Sequence, residues 1–138
     1  MSDLPSSRVY AIMTAEVNIP FKFTVIHGGD PSLRSARQKA TTRSINLTGL
    51  VFECQSVEAD GFHLSFTESA YGRNSLEISL DLGKKFGEIE LLGQVEWYER
   101  RATAIGYNFV VGVSFIDVQA DELTALRDFI QQAQALKR

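Results

Sequence analysis

The positively charged side chains between residues 31 and 52 are the clearest candidates for a chemical role. This stretch contains no aspartate or glutamate, yet it carries Arg34, Arg37, Lys39 and Arg43, four of the fourteen Lys and Arg residues. Guanidinium groups bind phosphate oxygens through paired hydrogen bonds. The segment is therefore interpreted either as a phosphate site or as a solvent-exposed loop, and charge alone leaves both interpretations open.

The residue types that carry most catalysis are too few and too widely spaced for an active site. His27 and His63 are the only histidines and Cys54 is the only cysteine, so the clustered ligands of a zinc site are missing. No Gly-x-Ser-x-Gly sequence occurs, and Gly83-Lys84-Lys85 lacks the hydroxyl residue that ends a P-loop. We predict that the protein is not an enzyme and has no metal or cofactor.

The composition narrows the class of protein further. The chain has 138 residues, 44% of them hydrophobic, and a net charge of −3 at pH 7. That length fits one domain with its own core, and the negative charge argues against the broad basic surface that a nucleic-acid polymer requires. The longest nearly apolar run, Phe109 to Ile116, is too short to span a membrane, and the first residues lack a signal-peptide pattern. We expect a cytoplasmic, single-domain protein.

Most of the chain alternates apolar and polar residues in short runs between turn residues, which is typical of half-buried β-strands. In the run from Ile89 to Trp97, the side chains of Ile89, Leu91, Val95 and Trp97 are predicted to share the inner face. Short strands without intervening helices favour an antiparallel sheet curled into a barrel. The predicted strands cover residues 21–25, 39–47, 50–53, 62–66, 76–82, 89–97 and 109–115.

The end of the chain changes to a helical period. Asp117 is predicted to cap a helix whose apolar stripe runs through Leu123, Leu126, Ile130 and Ala133. The residues at the start of the chain follow neither the strand period nor the helical period over an extended run. The predicted organisation is an N-terminal arm at residues 1–19, followed by one domain at residues 20–138 that contains the barrel and the C-terminal helix.

Three segments of the sequence resemble the PilZ family. They are Arg43-Ser-Ile-Asn-Leu-Thr-Gly-Leu-Val-Phe52, Gln94-Val-Glu-Trp97 and Val111-Gly-Val-Ser-Phe115, and the resemblance extends over roughly residues 21–130. PilZ domains are six-stranded antiparallel barrels that bind the bacterial second messenger cyclic di-GMP and control motility and exopolysaccharide synthesis. The resemblance therefore implies a mainly β fold with a six-stranded antiparallel barrel followed by an amphipathic helix.

The family binds its ligand with two motifs, of which one has a counterpart here. Asp/Asn-x-Ser-x-x-Gly corresponds to residues 44–49, where Ser44, Asn46 and Gly49 stand at the motif positions. Arg-x-x-x-Arg normally precedes the first strand, but Arg8 is the only arginine upstream of Phe21. The spacing of Lys39 and Arg43 matches that motif at a different place in the chain.

Two functional hypotheses follow from these residues. In the first, the protein is a cyclic di-GMP-responsive receptor and adaptor that transmits the signal to an unidentified protein partner, with a second copy of the chain as a further expected partner. In the alternative, it is a degenerate PilZ protein that acts through protein contacts without the dinucleotide. Binding of single-stranded nucleic acid is disfavoured because a basic groove with interleaved aromatics is missing. The ligand-binding residues predicted by the first hypothesis are Arg34, Arg37, Lys39, Arg43, Ser44, Asn46 and Gly49.

Overall fold

Six strands of the computed structural model close into an antiparallel barrel in the order β1-β2-β3-β8-β7-β6, with one helix at the C-terminal end. The predicted mainly β fold, with its six-stranded barrel and C-terminal helix, is confirmed. The structure describes residues 14–69 and 72–136. The elements are β1 (Pro20–Ile26), β2 (Gln38–Ile45), β3 (Gly49–Cys54), β4 (Glu58–Ala59), β5 (Phe62–His63), β6 (Ser75–Asp81), β7 (Glu88–Thr103), β8 (Gly106–Ile116) and α1 (Ala120–Leu136).

The predicted N-terminal arm lies mostly outside the described residues, as does Arg8 within it. The division of the chain at residues 19 and 20 stays a prediction. Residues 14–19, which are described, contact the barrel through backbone hydrogen bonds between Ala15 and Ile45. These contacts place that short segment at the end of the barrel where β1 begins.

Alternation of buried and exposed side chains builds the core, because every second residue of each strand points into the barrel. In β1 the inward side chains are Phe21, Phe23 and Val25, and all three are buried. The Phe52 ring of β3 lies 5.3 Å from Phe21 and 5.5 Å from Phe23, centroid to centroid. An aromatic cluster therefore fills the middle of the barrel.

Helix α1 packs its apolar side at the end of the barrel where the β2–β3 turn lies. Leu126 and Ile130 are fully buried, and the Phe129 ring meets Phe86 edge-on at 5.8 Å. Gln134 Nε2 donates a hydrogen bond to the backbone carbonyl of Thr14. The helix and the segment before β1 are thus tied together at this end.

The opposite end is held by one buried amide. Asn74, only 2% exposed, donates from Nδ2 to the backbone carbonyls of His63 and Phe66 and accepts from the Gly28 N–H. Beyond this end β7 and β8 continue as a two-stranded hairpin whose tip residue Ile105 is 98% exposed. We call residues 98–109 the hairpin arm.

The prediction that Trp97 faces inward with Val95 is wrong. The register between β7 and β8 shifts between these two residues, so one extra residue, Glu96, reverses the face of everything after it. Val95 is buried, whereas Trp97 is 46% exposed. Gly93, two residues before Val95, stays in register opposite Phe115.

Two smaller predictions also differ from the structure. Residues 62–66 do not form a barrel strand, because β5 ends at His63 and pairs with β4 in a separate two-stranded sheet, and Phe66 makes only an isolated bridge with Arg73. The helix is not capped by Asp117, whose φ of 51° is left-handed. Gln119 takes the capping position, since its N–H donates to Glu122 Oε1 and its carbonyl accepts from the first helical turn.

Candidate functional site

The turn between β2 and β3 is organised by the side chain of Asn46. Its Oδ1 accepts hydrogen bonds from the Thr48 N–H, the Thr48 hydroxyl and the Gly49 N–H at 2.8–3.0 Å. The Asn46 N–H in turn donates to the carbonyl of Gly49. An asparagine that closes a turn in this way is using its acceptor for the fold, which leaves its amide NH₂ as the only group free for another partner.

Glycine at position 49 is required by the close approach of β8. A Cβ placed there would lie 2.0 Å from the backbone oxygen of Val113, so any side chain would push two paired strands apart. The predicted motif glycine therefore has a packing role of its own. It shapes the surface on which neighbouring side chains stand.

A row of four residues crosses the outer face of the barrel beside this turn. Ser44 of β2 is opposite Val51 of β3, Val51 is opposite Gly112 of β8, and Gly112 is opposite Trp97 of β7. A Cβ at Gly112 would lie 2.2 Å from indole atoms of Trp97, so the indole lies directly over this glycine. The exposed aromatic face and the Ser44 hydroxyl thus stand on one surface.

This surface forms a shallow groove with a volume of about 180 Å³, which we call the hairpin groove. Its polar members besides Ser44 include Glu96, whose Oε2 accepts from the Ser114 hydroxyl at 3.0 Å and lies 3.7 Å from Arg73 Nη2. The lining residues are Ser44, Asn46, Thr48, Gly49, Leu50, Val51, Glu96, Trp97, Gly112, Val113 and Ser114. Three predicted site residues, Ser44, Asn46 and Gly49, therefore meet here.

Arg43 lies next to the hairpin groove at an irregularity of β2. The register with β3 shifts between Thr42 and Ser44, which leaves Arg43 without a residue opposite it. Its side chain is exposed, and it makes no ion pair within residues 14–69 and 72–136. A free guanidinium is thus available beside Ser44.

Arg37 and Lys39 belong to a second and larger groove on the outer face of β1, β2 and β6. Its volume is about 700 Å³, and Lys22 of β1 also lines it. Lys22 is directly opposite Lys39 in the pairing of β1 with β2, while Asp81 and Glu88 lie on the far side of the same groove. We call it the basic groove.

Arg34 lies apart from both grooves. Its Nη2 is 2.8 Å from Glu77 Oε2 on β6, at the end of the barrel where the loop after β1 turns back. The seven residues predicted from the sequence therefore fall into separate groups: three in the hairpin groove, two in the basic groove, Arg43 on β2, and Arg34 in an ion pair.

Cys54, His27 and Glu68 are engaged in local structure. Burial raises the pKa of the Cys54 thiol to about 11, so at neutral pH it is a protonated group and a poor nucleophile. His27 Nδ1 accepts hydrogen bonds from the N–H groups of Gly29 and Asp30, and His27 Nε2 is hydrogen-bonded to Glu68 Oε1. The pKa of Glu68 is lowered by its own backbone N–H and by His27.

The described ranges contain neither a cluster of metal-binding side chains nor a helix that could span a membrane. No group of three or more His, Cys, Asp or Glu side chains there could hold a metal ion. None of the described residues forms a helix that is both long enough and apolar enough to cross a bilayer.

Trp97 and Lys22 are two of the groove residues that the predicted site did not include. Strict alternation predicts Trp97 in the core, although Gly112 in the facing strand is a usable indication that a side chain lies over it, since a strand glycine often marks a close approach. Lys22 is separated from the basic segment by the loop after β1, and only the pairing of β1 with β2 brings it beside Lys39.

Comparisons with known proteins agree with this architecture. No family model matches the chain, and no curated protein sequence matches it. Among solved structures it is similar to the PilZ domain with c-di-GMP of YcgR from Escherichia coli, with a TM-score of 0.62, 10% identity and 91% of both chains covered.

Two longer proteins give comparable agreement. The Bacillus subtilis inhibitor of motility MotI (DgrA) matches with a TM-score of 0.61 and 12% identity over 91% of this chain and 51% of its own. MrkH of K. pneumonia matches with a TM-score of 0.63 and 14% identity over 89% of this chain and 47% of its own. The chain therefore spans about half the length of these two proteins. At such low identity the agreement concerns the fold, and the chain has the fold of a PilZ domain.

Proposed function

We propose that the protein is a receptor and adaptor that binds cyclic di-GMP on the hairpin groove and passes the signal to a protein partner. The observation that carries the proposal is the row from Ser44 to Trp97, which sets an exposed indole and a hydroxyl on one face next to Arg43. The PilZ domain of YcgR, whose fold this chain shares, is described with c-di-GMP.

A guanine base is suited to the Trp97 end of the groove. Base–aromatic stacking needs an exposed ring face, and Trp97 offers one above the bare backbone of Gly112. The carboxylate of Glu96 lies beside the ring and accepts hydrogen bonds only, which matches the N–H donors of a guanine edge. With a volume of about 180 Å³, the groove has room for one base, so the rest of the ligand would lie on open surface.

The phosphate is assigned to Arg43. Its guanidinium has no ion-pair partner among the described residues and stands one residue from Ser44. A charge-assisted hydrogen bond of this kind contributes about 1.5–3 kcal/mol. The Ser44 hydroxyl, which can donate or accept, lies between the phosphate position and the base position.

The same contacts set the expected affinity. One stacked base contributes about 1–3 kcal/mol, so stacking and one arginine together give roughly 2.5–6 kcal/mol. That range corresponds to a dissociation constant from about 40 μM to about 15 mM. Binding is expected to be weak because the chain has no counterpart of the family's Arg-x-x-x-Arg before β1. Association with a partner that prefers the ligand-bound form would raise the apparent affinity for cyclic di-GMP.

The test compares two adjacent aromatic residues on opposite faces. Trp97→Ala should weaken cyclic di-GMP binding by roughly tenfold to a hundredfold, measured by amide chemical shifts in an NMR titration. Tyr98→Ala is the matched control, since Tyr98 is similarly exposed at 42% but packs near His63 and Phe109. Equal losses in both variants, or no shift at Ser44 and Gly112 with millimolar ligand, would reject the proposed site.

A second candidate function, protein binding without the dinucleotide, is favoured by the hairpin arm. Ile105 is almost fully exposed at its tip, and Tyr107, 57% exposed, lies under the Arg100 guanidinium at 4.9 Å. Apolar and aromatic side chains held on a projecting hairpin resemble the anchor residues of interfaces. In this alternative the barrel serves as the scaffold for the arm.

One binding assay distinguishes the two functions. If the arm binds a partner without the dinucleotide, a complex captured from the native cell should survive Trp97→Ala and Arg43→Ala and be lost with Ile105→Asp. If the complex instead requires added cyclic di-GMP and is lost with Trp97→Ala, the receptor function is supported and the ligand-independent one is rejected.

A further inference from the structure

The basic groove contains an arrangement of charge that the fold itself does not explain. Lys22 and Lys39 stand directly opposite each other on neighbouring strands, where side chains are about 5 Å apart and like charges repel. Neither lysine, nor the nearby Arg37, makes an ion pair in the part of the chain that the structure describes. Three cations are therefore gathered on one side of the groove, and none of them forms an ion pair with the described residues.

The far side of the same groove carries the opposite charge. Asp81 and Glu88 are opposite each other in the pairing of β6 with β7, and Asp81 stands two residues along β6 from Ser79, which is opposite Lys22. With strands about 4.8 Å apart and a rise of about 3.3 Å per residue, the Cα atoms of Lys22 and Glu88 are separated by roughly 12 Å. A ligand that spans the groove therefore needs an anion at one end and hydrogen-bond donors at the other.

We infer that the basic groove is a separate binding site for a nucleoside monophosphate whose base donates hydrogen bonds, guanosine monophosphate being the member that fits best. The phosphate would lie between Lys22, Lys39 and Arg37. Guanine presents two neighbouring N–H donors that one carboxylate can accept together, and Glu88 supplies such a carboxylate. Adenine lacks that donor pair, which makes the base a point of specificity.

The size and position of the groove support a site distinct from the hairpin groove. A volume of about 700 Å³ lies within the range of roughly 300–1,000 Å³ that is usual for small-molecule sites. Lys39 and Ser44 are five residues apart on β2, which corresponds to about 17 Å along an extended strand. The two grooves can thus be tested independently.

The experiment is an NMR titration of the whole chain with guanosine monophosphate, adenosine monophosphate and guanosine. Guanosine monophosphate should shift the amides of Lys22, Lys39, Ser79 and Glu88, and the double variant Lys22→Gln/Lys39→Gln should bind it about a hundredfold more weakly. Adenosine monophosphate should bind about tenfold more weakly, as should guanosine monophosphate to Glu88→Gln. Guanosine, which lacks the phosphate, should give no shift at these four amides.

Several outcomes would overturn the inference. These are an absence of shifts in the groove at millimolar guanosine monophosphate, equal binding of the adenine nucleotide, or binding unchanged in the double lysine variant. Trp97→Ala serves as the matched control and should leave the shifts of the Lys22, Lys39, Ser79 and Glu88 amides unchanged. Since the double lysine variant should likewise leave cyclic di-GMP binding at the hairpin groove unchanged, failure at one groove is distinguishable from failure at the other.

Discussion

The hairpin groove and the basic groove lie on the same barrel but use their polar side chains in opposite ways. In the hairpin groove the amide oxygen of Asn46 is fully occupied by the turn, and Ser114 is bonded to Glu96. In the basic groove, Lys22 and Lys39 face each other with no acidic partner among the described residues. The polar groups of the hairpin groove are thus largely hydrogen-bonded within the fold, whereas the lysines of the basic groove remain without an ion-pair partner among the described residues.

This difference separates residues that maintain the structure from residues that are free to bind. A side chain whose hydrogen bonds are already used inside the molecule changes stability when it is removed. A charged side chain that repels its neighbour lowers stability, and such a cost is common at functional sites. Stability measurements on single variants can therefore distinguish the two kinds of residue without any ligand.

The largest expected effect is at the glycine that both the motif and the packing require. Gly49→Ala puts a Cβ against the backbone oxygen of Val113, which cannot move without shifting β8, so we expect a loss of about 3 kcal/mol in the free energy of unfolding. This corresponds to a melting temperature lower by about 10 °C. Thermal unfolding followed by circular dichroism measures it.

Gly112→Ala is the matched control for that measurement. Its Cβ would meet the Trp97 indole, a half-exposed side chain that can move aside, so the loss should be clearly smaller than for Gly49→Ala. If the two variants lose equal stability, the packing role assigned to Gly49 is wrong and its place in the hairpin groove needs another explanation.

The next effect in size concerns Asn46. Asn46→Ala removes an acceptor of three hydrogen bonds in the turn, and we expect it to lower the free energy of unfolding by about 2 kcal/mol. Asn46→Asp keeps the Oδ1 acceptor and should retain most of that stability. Urea unfolding with an unchanged m-value is the measurement.

Ser44→Ala provides the contrast within the same groove. No hydrogen bond of the fold depends on the Ser44 side chain in the described residues, so its removal should change stability by less than about 0.5 kcal/mol. A large loss from Ser44→Ala, or none from Asn46→Ala, would reverse the roles assigned to these two residues.

The fold was predictable because each strand of the barrel alternates regularly. Phe21, Phe23 and Val25 point inward as their spacing indicates, and the helix buries Leu126 and Ile130 as expected. Trp97 was misplaced because Glu96 is an extra residue in β7, and a single insertion turns every later side chain to the other face. Nothing in the local sequence marks that insertion, which depends on how β7 pairs with β8.

The candidate sites were less predictable, because residues close along the chain are not necessarily close in space. Arg34 and Arg43 belong to one acid-free segment, yet a loop and a strand carry them to different parts of the barrel, and Arg34 pairs with Glu77 from β6. Lys22 joins Lys39 only through strand pairing. The identity of the motif residues was visible in the sequence, whereas their hydrogen-bond partners required the fold.

The smallest expected effect is a gain in stability, and it tests the basic groove most directly. Lys39→Gln removes one of two like charges that face each other, so the free energy of unfolding should rise by about 0.3–0.5 kcal/mol at low salt. Arg34→Gln, from the same acid-free segment, breaks an exposed ion pair with Glu77 and should lower it by a similar amount. Both changes should shrink as salt screens the charges. Because the two substitutions remove the same charge, changes of opposite sign in the free energy of unfolding can arise only from the surroundings of the two residues. A loss of stability from Lys39→Gln would mean that Lys39 has a partner in the folded protein and is not free to bind a ligand.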